Sequence, residues 1–260
     1  MENTALILST LCFFGAFVVS LRGLRQESPF APRFRLGLLA VGFLFQCAFL
    51  YLRGEQVRQC PITNGFEILI FVAWSTVCFY FLVGPAFRLS LLGFFTAPVA
   101  CVLQLTALLF ADRTVKPLVK EHDFWLELHA SISLMAYGAF ALACIAGVMF
   151  LIQDHLLRRG RLQALFYQLP PIHHLAQAII RLLWIGFILL TGGMISAAMM
   201  ARMPTAWKMG LIVIMWLAYG GLLGTRQLRG LGNKTIAVAS VFAFLLPILT
   251  YFVISQRPGS

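Results

Sequence analysis

The sequence predicts an all-α fold, a polytopic transmembrane helical bundle of about eight spans with both termini outside. Three observations carry this. The chain is 60% hydrophobic and only 11% charged, less charge than a water-soluble domain of this size exposes. Its apolar runs recur at close to the length of about 20 residues that a helix needs to cross a hydrocarbon core of roughly 30 Å. None of these runs alternates as a barrel strand does, and only helices or closed barrels satisfy the backbone within lipid.

The runs are Thr4–Leu21, Leu36–Leu52, Asn64–Val83, Leu89–Phe110, Phe124–Ile152, Ile179–Met200, Met209–Gly224 and Thr235–Ile254. The first reads as a span and not as a cleavable signal, because M-E-N-T is acidic and no A-x-A site follows. The fourth contains Pro98, which should kink it. The seventh is the shortest. Together they read as one integral-membrane domain over residues 1–260. The stretch Arg158–Ala178, with Pro170 and Pro171, reads as a cytoplasmic surface helix and turn.

Charge supplies the orientation. The net charge of +11 does not indicate a nucleic-acid partner here, because Lys and Arg in a membrane protein mark the loops that stay cytoplasmic. The loops after the first, third, fifth and seventh runs, with the basic residues bordering them, hold twelve of the basic residues. The other loops and the tail hold eight. The first set is therefore assigned to the cytoplasm, and residues 53–61, 112–127 and 201–208 to the outside.

The fifth run carries the chemistry. It opens D-F-W-L-E-L-H and is uncharged from Ala130 to Gln153. Asp123 can cap its start, and Trp125 falls at the membrane–water boundary, where aromatic rings are favoured. His129 lies about one turn further in. Trp125, His129, Ser133 and Tyr137 share one helical face at i, i+4 spacing. An imidazole at that depth calls for a partner. Two readings stand: an interfacial histidine bonded to a neighbouring helix or headgroup, or an axial ligand for haem iron.

Other candidates have plainer roles available. Asn64 and Glu67 have the spacing of a capping box at the start of the third run. Alternatively Glu67, at the same depth as His129, could bond the imidazole and hold its tautomer. Gly192 with Ser196, and Gly193 with Ala197, give the small-residue spacing that lets helices approach closely. Met194, Met199, Met200, Met203 and Met209 could supply a second haem ligand, although methionine commonly fills gaps. Adjacent His173 and His174 read as a solvated pair. None of the six cysteines forms a C-x-x-C or C-x-x-C-H motif. No G-x-S-x-G, H-E-x-x-H or phosphate-loop pattern appears, so the expectation is a non-enzyme.

Three ordered stretches resemble the membrane-bound cytochrome c assembly family, the haem-handling proteins of the CcsA, CcmC and HemX type. The first is P-I-T-N-G-F-E-I-L-I-F-V-A-W-S, with Pro61, Asn64, Glu67 and Trp74. The second is W-L-E-L-H-A-S-I-S-L-M-A-Y, with Trp125, His129 and Tyr137. The third runs from W-I-G-F-I-L-L-T-G-G-M-I-S through W-L-A-Y-G-G-L-L-G-T-R to L-P-I-L-T-Y-F, with Thr191, Gly193, Ser196, Trp216, Tyr219, Arg226, Thr250 and Tyr251.

The resemblance implies that His129 is an external axial ligand of haem, with Trp125 and Tyr137 against the ring, Glu67 nearby, and Arg202 or Lys208 meeting the propionates. It also implies a multi-pass protein of the bacterial inner membrane whose partner is a cytochrome c assembly protein or a haem-biosynthesis enzyme. The chain departs from the family pattern at three places. M-A-R-M-P-T-A-W-K-M-G replaces the tryptophan-rich WWD loop, Gly224 stands where many members have a transmembrane histidine, and the sequence reaches I-S-Q-R-P-G-S before the place of a second external histidine. These departures resemble the HemX-like (YpjD-like) branch, linked to haem biosynthesis. The alternative is a regulatory scaffold that controls such an enzyme through cytoplasmic basic loops at Arg158, Arg159 and Arg161 and binds no haem.

Overall fold

The computed structural model describes residues 2–23, 31–84, 92–110, 124–158, 172–200 and 205–256. Within them the chain forms α1 (Glu2–Gly23), α2 (Ala31–Val57), α3 (Gly65–Val83), α4 (Leu92–Phe110), α5 (Phe124–Arg158), α6 (Ile172–Ala198), α7 (Ala206–Arg229), α8 (Asn233–Ala243) and α9 (Leu245–Gln256). Eight stretches are long and apolar enough to cross a membrane, α8 and α9 together making the last. The all-α, eight-span expectation therefore stands.

Several boundaries differ from the sequence reading. Helix α2 continues past Leu52 to Val57, carrying Arg53 into the packed end of the bundle. Helix α6 begins at Ile172, so His173 and His174 lie in its first turn and not in a separate surface segment. Residues 159–171, with Pro170 and Pro171, are outside the described residues. The last span is broken at Phe244. Pro247 explains this, because it has no N–H to continue the ladder and is tolerated in a helix's first turn. Pro98 lies inside α4, which stays one helix from Leu92 to Phe110.

The contacts divide the chain into two compact units. The first contains α1–α4, where α1 packs along α2 and α4, and α3 packs against α4. Its core joins Ala5, Leu6, Phe49, Phe66, Ile70 and Ala107. Phe49 and Phe66 meet edge to face, with centroids 6.1 Å apart. Polar side chains buried one turn further along are paired across helices: Gln46 Nε2 donates to the Ile70 carbonyl at 3.0 Å, and Gln104 Nε2 to Ser9 Oγ at 3.1 Å. Without water, such bonds help hold transmembrane helices together.

The second unit contains α5 as far as His155 and then α6–α9. Helix α5 is lined with small buried residues, including Ala136, Ala139, Ala143 and Gly147. Its neighbours come close where a side chain is missing. A Cβ on Gly147 would lie 2.6 Å from Ser240 Oγ of α8, and one on Gly186 of α6 would strike the Phe140 ring. Phe140 in turn stacks on Tyr219 of α7, with centroids 3.7 Å apart and planes 6° from parallel. At the far end Lys234 Nζ reaches Asp154 Oδ2 at 3.5 Å.

Candidate functional site

His129 sits in the second turn of α5, half-buried, as are Trp125, Ser133 and Tyr137 on the same face. Asp123, the expected cap, is outside the described residues. The His129 Nδ1 atom lies 2.7 Å from the carbonyl oxygen of Gly193 on α6. A carbonyl can only accept, so the proton of the neutral ring is on Nδ1. The lone pair is therefore on Nε2. This is the tautomer that a metal-ligating histidine needs when its second nitrogen bonds a backbone carbonyl.

Gly193 makes that contact possible. A Cβ there would lie 2.5 Å from Ser133 Oγ, so a side chain would require the serine hydroxyl to turn aside or the helices to shift. Ser196 Oγ donates to the same Gly193 carbonyl at 2.8 Å. Two residues before Gly193, Thr191 Oγ1 donates to Phe187 O at 2.8 Å and accepts from Trp216 Nε1 of α7 at 3.0 Å. The Trp216 ring lies 5.4 Å from that of Phe187. Gly193 and Ser196 thus tie α6 to His129 of α5, while Thr191 ties α6 separately to Trp216 of α7. Tyr219 is fully buried, and its hydroxyl has no partner among the described residues.

The other predicted residues separate. Trp125 meets Phe124 edge to face at 5.6 Å. Lys208 is in the first turn of α7, half-buried, with Nζ 5.3 Å from the Trp207 ring centroid. Because α6 ends near Gly193 and α7 starts at Ala206, chain connectivity brings Lys208 to the same end of the second unit as His129. Arg202 and Met203 are outside the described residues. Met200 is buried, consistent with gap filling. His173 is exposed on α6, and its ring centroid lies 4.1 Å from that of His174.

Glu67 belongs to the first unit, and its surroundings account for it without a ligand. Asn64 caps α3, its Oδ1 accepting from Glu67 N at 2.9 Å. Glu67 Oε2 accepts from Thr63 N at 2.7 Å and from Thr63 Oγ1 at 2.8 Å. The capping box is therefore present, with its return bond made to Thr63. Glu67 Oε1 accepts from Arg53 Nε at 2.7 Å, and Arg53 Nη1 also reaches Glu2 at 3.4 Å. By sequence Arg53 is one more basic residue bordering the external 53–61 loop. Nothing in its spacing signals partners 14 and 51 positions away. The His129 ring takes its Nδ1 partner from Gly193, and both Glu67 oxygens are engaged within the first unit.

Among the described residues, no group of three or more His, Cys, Asp or Glu could hold a metal ion. A bare cation would thus find no protein cage there. A single imidazole suits a group that brings its own equatorial ligands.

Comparison with known proteins places the chain in a family. Residues 62–258 match the family described as Cytochrome C assembly protein. The cytochrome c biogenesis protein CcsA of Synechococcus sp. (strain CC9902) is 27% identical, over 96% of this chain and 94% of its own length. CcsA of Mesostigma viride is 26% identical, over 83% of this chain and 80% of its own. Protein HemX of Brevibacillus brevis is 26% identical, over 64% of this chain and 59% of its own.

Proposed function

The chain belongs to the cytochrome c assembly protein family, and from that premise we propose that it is a haem-handling membrane protein with His129 as axial ligand. The observation that carries the proposal is the Nδ1–H bond to Gly193, which leaves Nε2 as the donor atom. Haem supplies four equatorial nitrogens, so the protein need only furnish an axial one. Trp125 and Tyr137, on the His129 face, would flank the ring. Lys208 and Arg202 would meet the propionates by charge-assisted bonds. Glu67 keeps a structural role. The protein binds and presents haem and does not transform it. It resides in a bacterial inner membrane with both termini outside.

Within the family we assign the chain to the HemX-like branch. Two features support this. The residue 200–210 stretch has no WWD core. The CcsA alignment from Synechococcus extends over 293 residues, more than the 260 of this chain, so that relative carries insertions. The HemX match spans 168 residues for 64% of the chain, so it needs few insertions within the part it covers.

The test is the visible spectrum of purified protein after haem loading. Wild type should show a Soret band that His129→Ala loses or shifts. Identical spectra would remove the ligand role. If neither protein takes up haem, the scaffold reading gains. In that case charge reversal at Arg158, Arg159 and Arg161 should abolish partner binding while His129→Ala does not.

A further inference from the structure

The Gly193 carbonyl receives two side-chain donors. His129 Nδ1 reaches it at 2.7 Å from α5, and Ser196 Oγ at 2.8 Å from within α6. Ser196 is only 2% exposed, so water does not compete for its one hydroxyl proton. Both donors draw on the electron density of one oxygen. Successive hydrogen bonds along a chain polarise and strengthen each other. Two donors sharing one acceptor do the reverse, each weakening the other.

The partner of the non-ligating nitrogen sets the basicity of a ligating imidazole. We propose that Ser196 is a positioning residue that moderates the donor strength of His129 by sharing the Gly193 carbonyl. With the hydroxyl present, the Nδ1–H bond is held weaker and Nε2 is the milder donor. Without it, the carbonyl has one donor fewer, the Nδ1–H bond tightens, the ring gains imidazolate character, and Nε2 becomes the stronger donor. A stronger axial donor favours ferric over ferrous iron. The redox consequence rests on reading His129 as a haem ligand, whereas the hydrogen-bond consequence does not.

The two are separated by making Ser196→Ala and Ser196→Thr in the full chain. In haem-free, histidine-labelled protein in detergent micelles, the Nδ1–H proton resonance should move downfield in Ser196→Ala. It should stay at the wild-type position in Ser196→Thr, which keeps the hydroxyl. After haem loading, the midpoint potential should fall in Ser196→Ala and recover in Ser196→Thr. A Ser196→Ala protein with wild-type resonance and wild-type potential overturns the inference while leaving haem binding intact. A moved resonance in a protein that takes up no haem supports the shared-carbonyl device and defeats the haem reading instead.

Discussion

His129 and Gly193, 64 positions apart, are joined by a bond of 2.7 Å between an imidazole nitrogen and a main-chain carbonyl. The bond fixes one end of α5 to α6 and decides which ring nitrogen carries the proton. Residue 193 has no side chain, and a Cβ there would meet Ser133 Oγ of α5 at 2.5 Å.

Gly193→Ala should therefore destabilise the second unit. The added methyl meets Ser133 Oγ at 2.5 Å, and overpacking of this kind costs about 1–3 kcal/mol. Thermal unfolding in micelles should show a lower midpoint. Adding Ser133→Ala should recover part of the loss, because the clash is with that hydroxyl. Equal losses with and without the second change would disconnect the two residues.

Arg53→Met should cost more than its position at the end of α2 suggests. It leaves the fully buried Glu67 carboxylate without its cation. Removing one member of a buried ion pair costs about 3–5 kcal/mol. The double change Arg53→Met with Glu67→Gln should be milder than Arg53→Met alone. A double-mutant cycle by chemical denaturation checks this, and additivity would contradict it.

Asn64→Ala removes the side-chain acceptor of Glu67 N–H at the start of α3. Loss of an N-cap costs about 0.5–2 kcal/mol. The expected result is a small drop in stability with unchanged haem uptake, since Asn64 and Glu67 are structural in this account.

Thr191→Val should loosen α6 against α7, because the Trp216 indole N–H loses its acceptor. A buried donor left unsatisfied costs about 1–3 kcal/mol. Tryptophan fluorescence should report a changed Trp216 environment, whereas Thr191→Ser should keep the wild-type spectrum.

The spans were legible in the sequence because length and apolarity are what a bilayer demands of a helix. The Asn64–Glu67 cap was legible because its spacing is local. The early start of α6 was not. Histidines and a glutamine at residues 173–177 read as part of a separate surface helix and turn, although helix α6 includes them. The break between α8 and α9 had a visible cause in Pro247. Arg53 was illegible, as its partners are brought in by packing of α1, α2 and α3. Gly193 was half legible. Its spacing announced close helix approach, but the use of its carbonyl depends on which α5 side chain arrives opposite.

The most direct measurement of the central claim is ligand replacement. His129→Gly removes the donor and leaves space at its position. Haem-loaded His129→Gly should lose the wild-type Soret and visible bands and regain them when imidazole is added to millimolar concentration. If the bands are unchanged by the substitution, or if imidazole fails to restore them in a protein that still folds and binds haem, His129 is not the axial ligand.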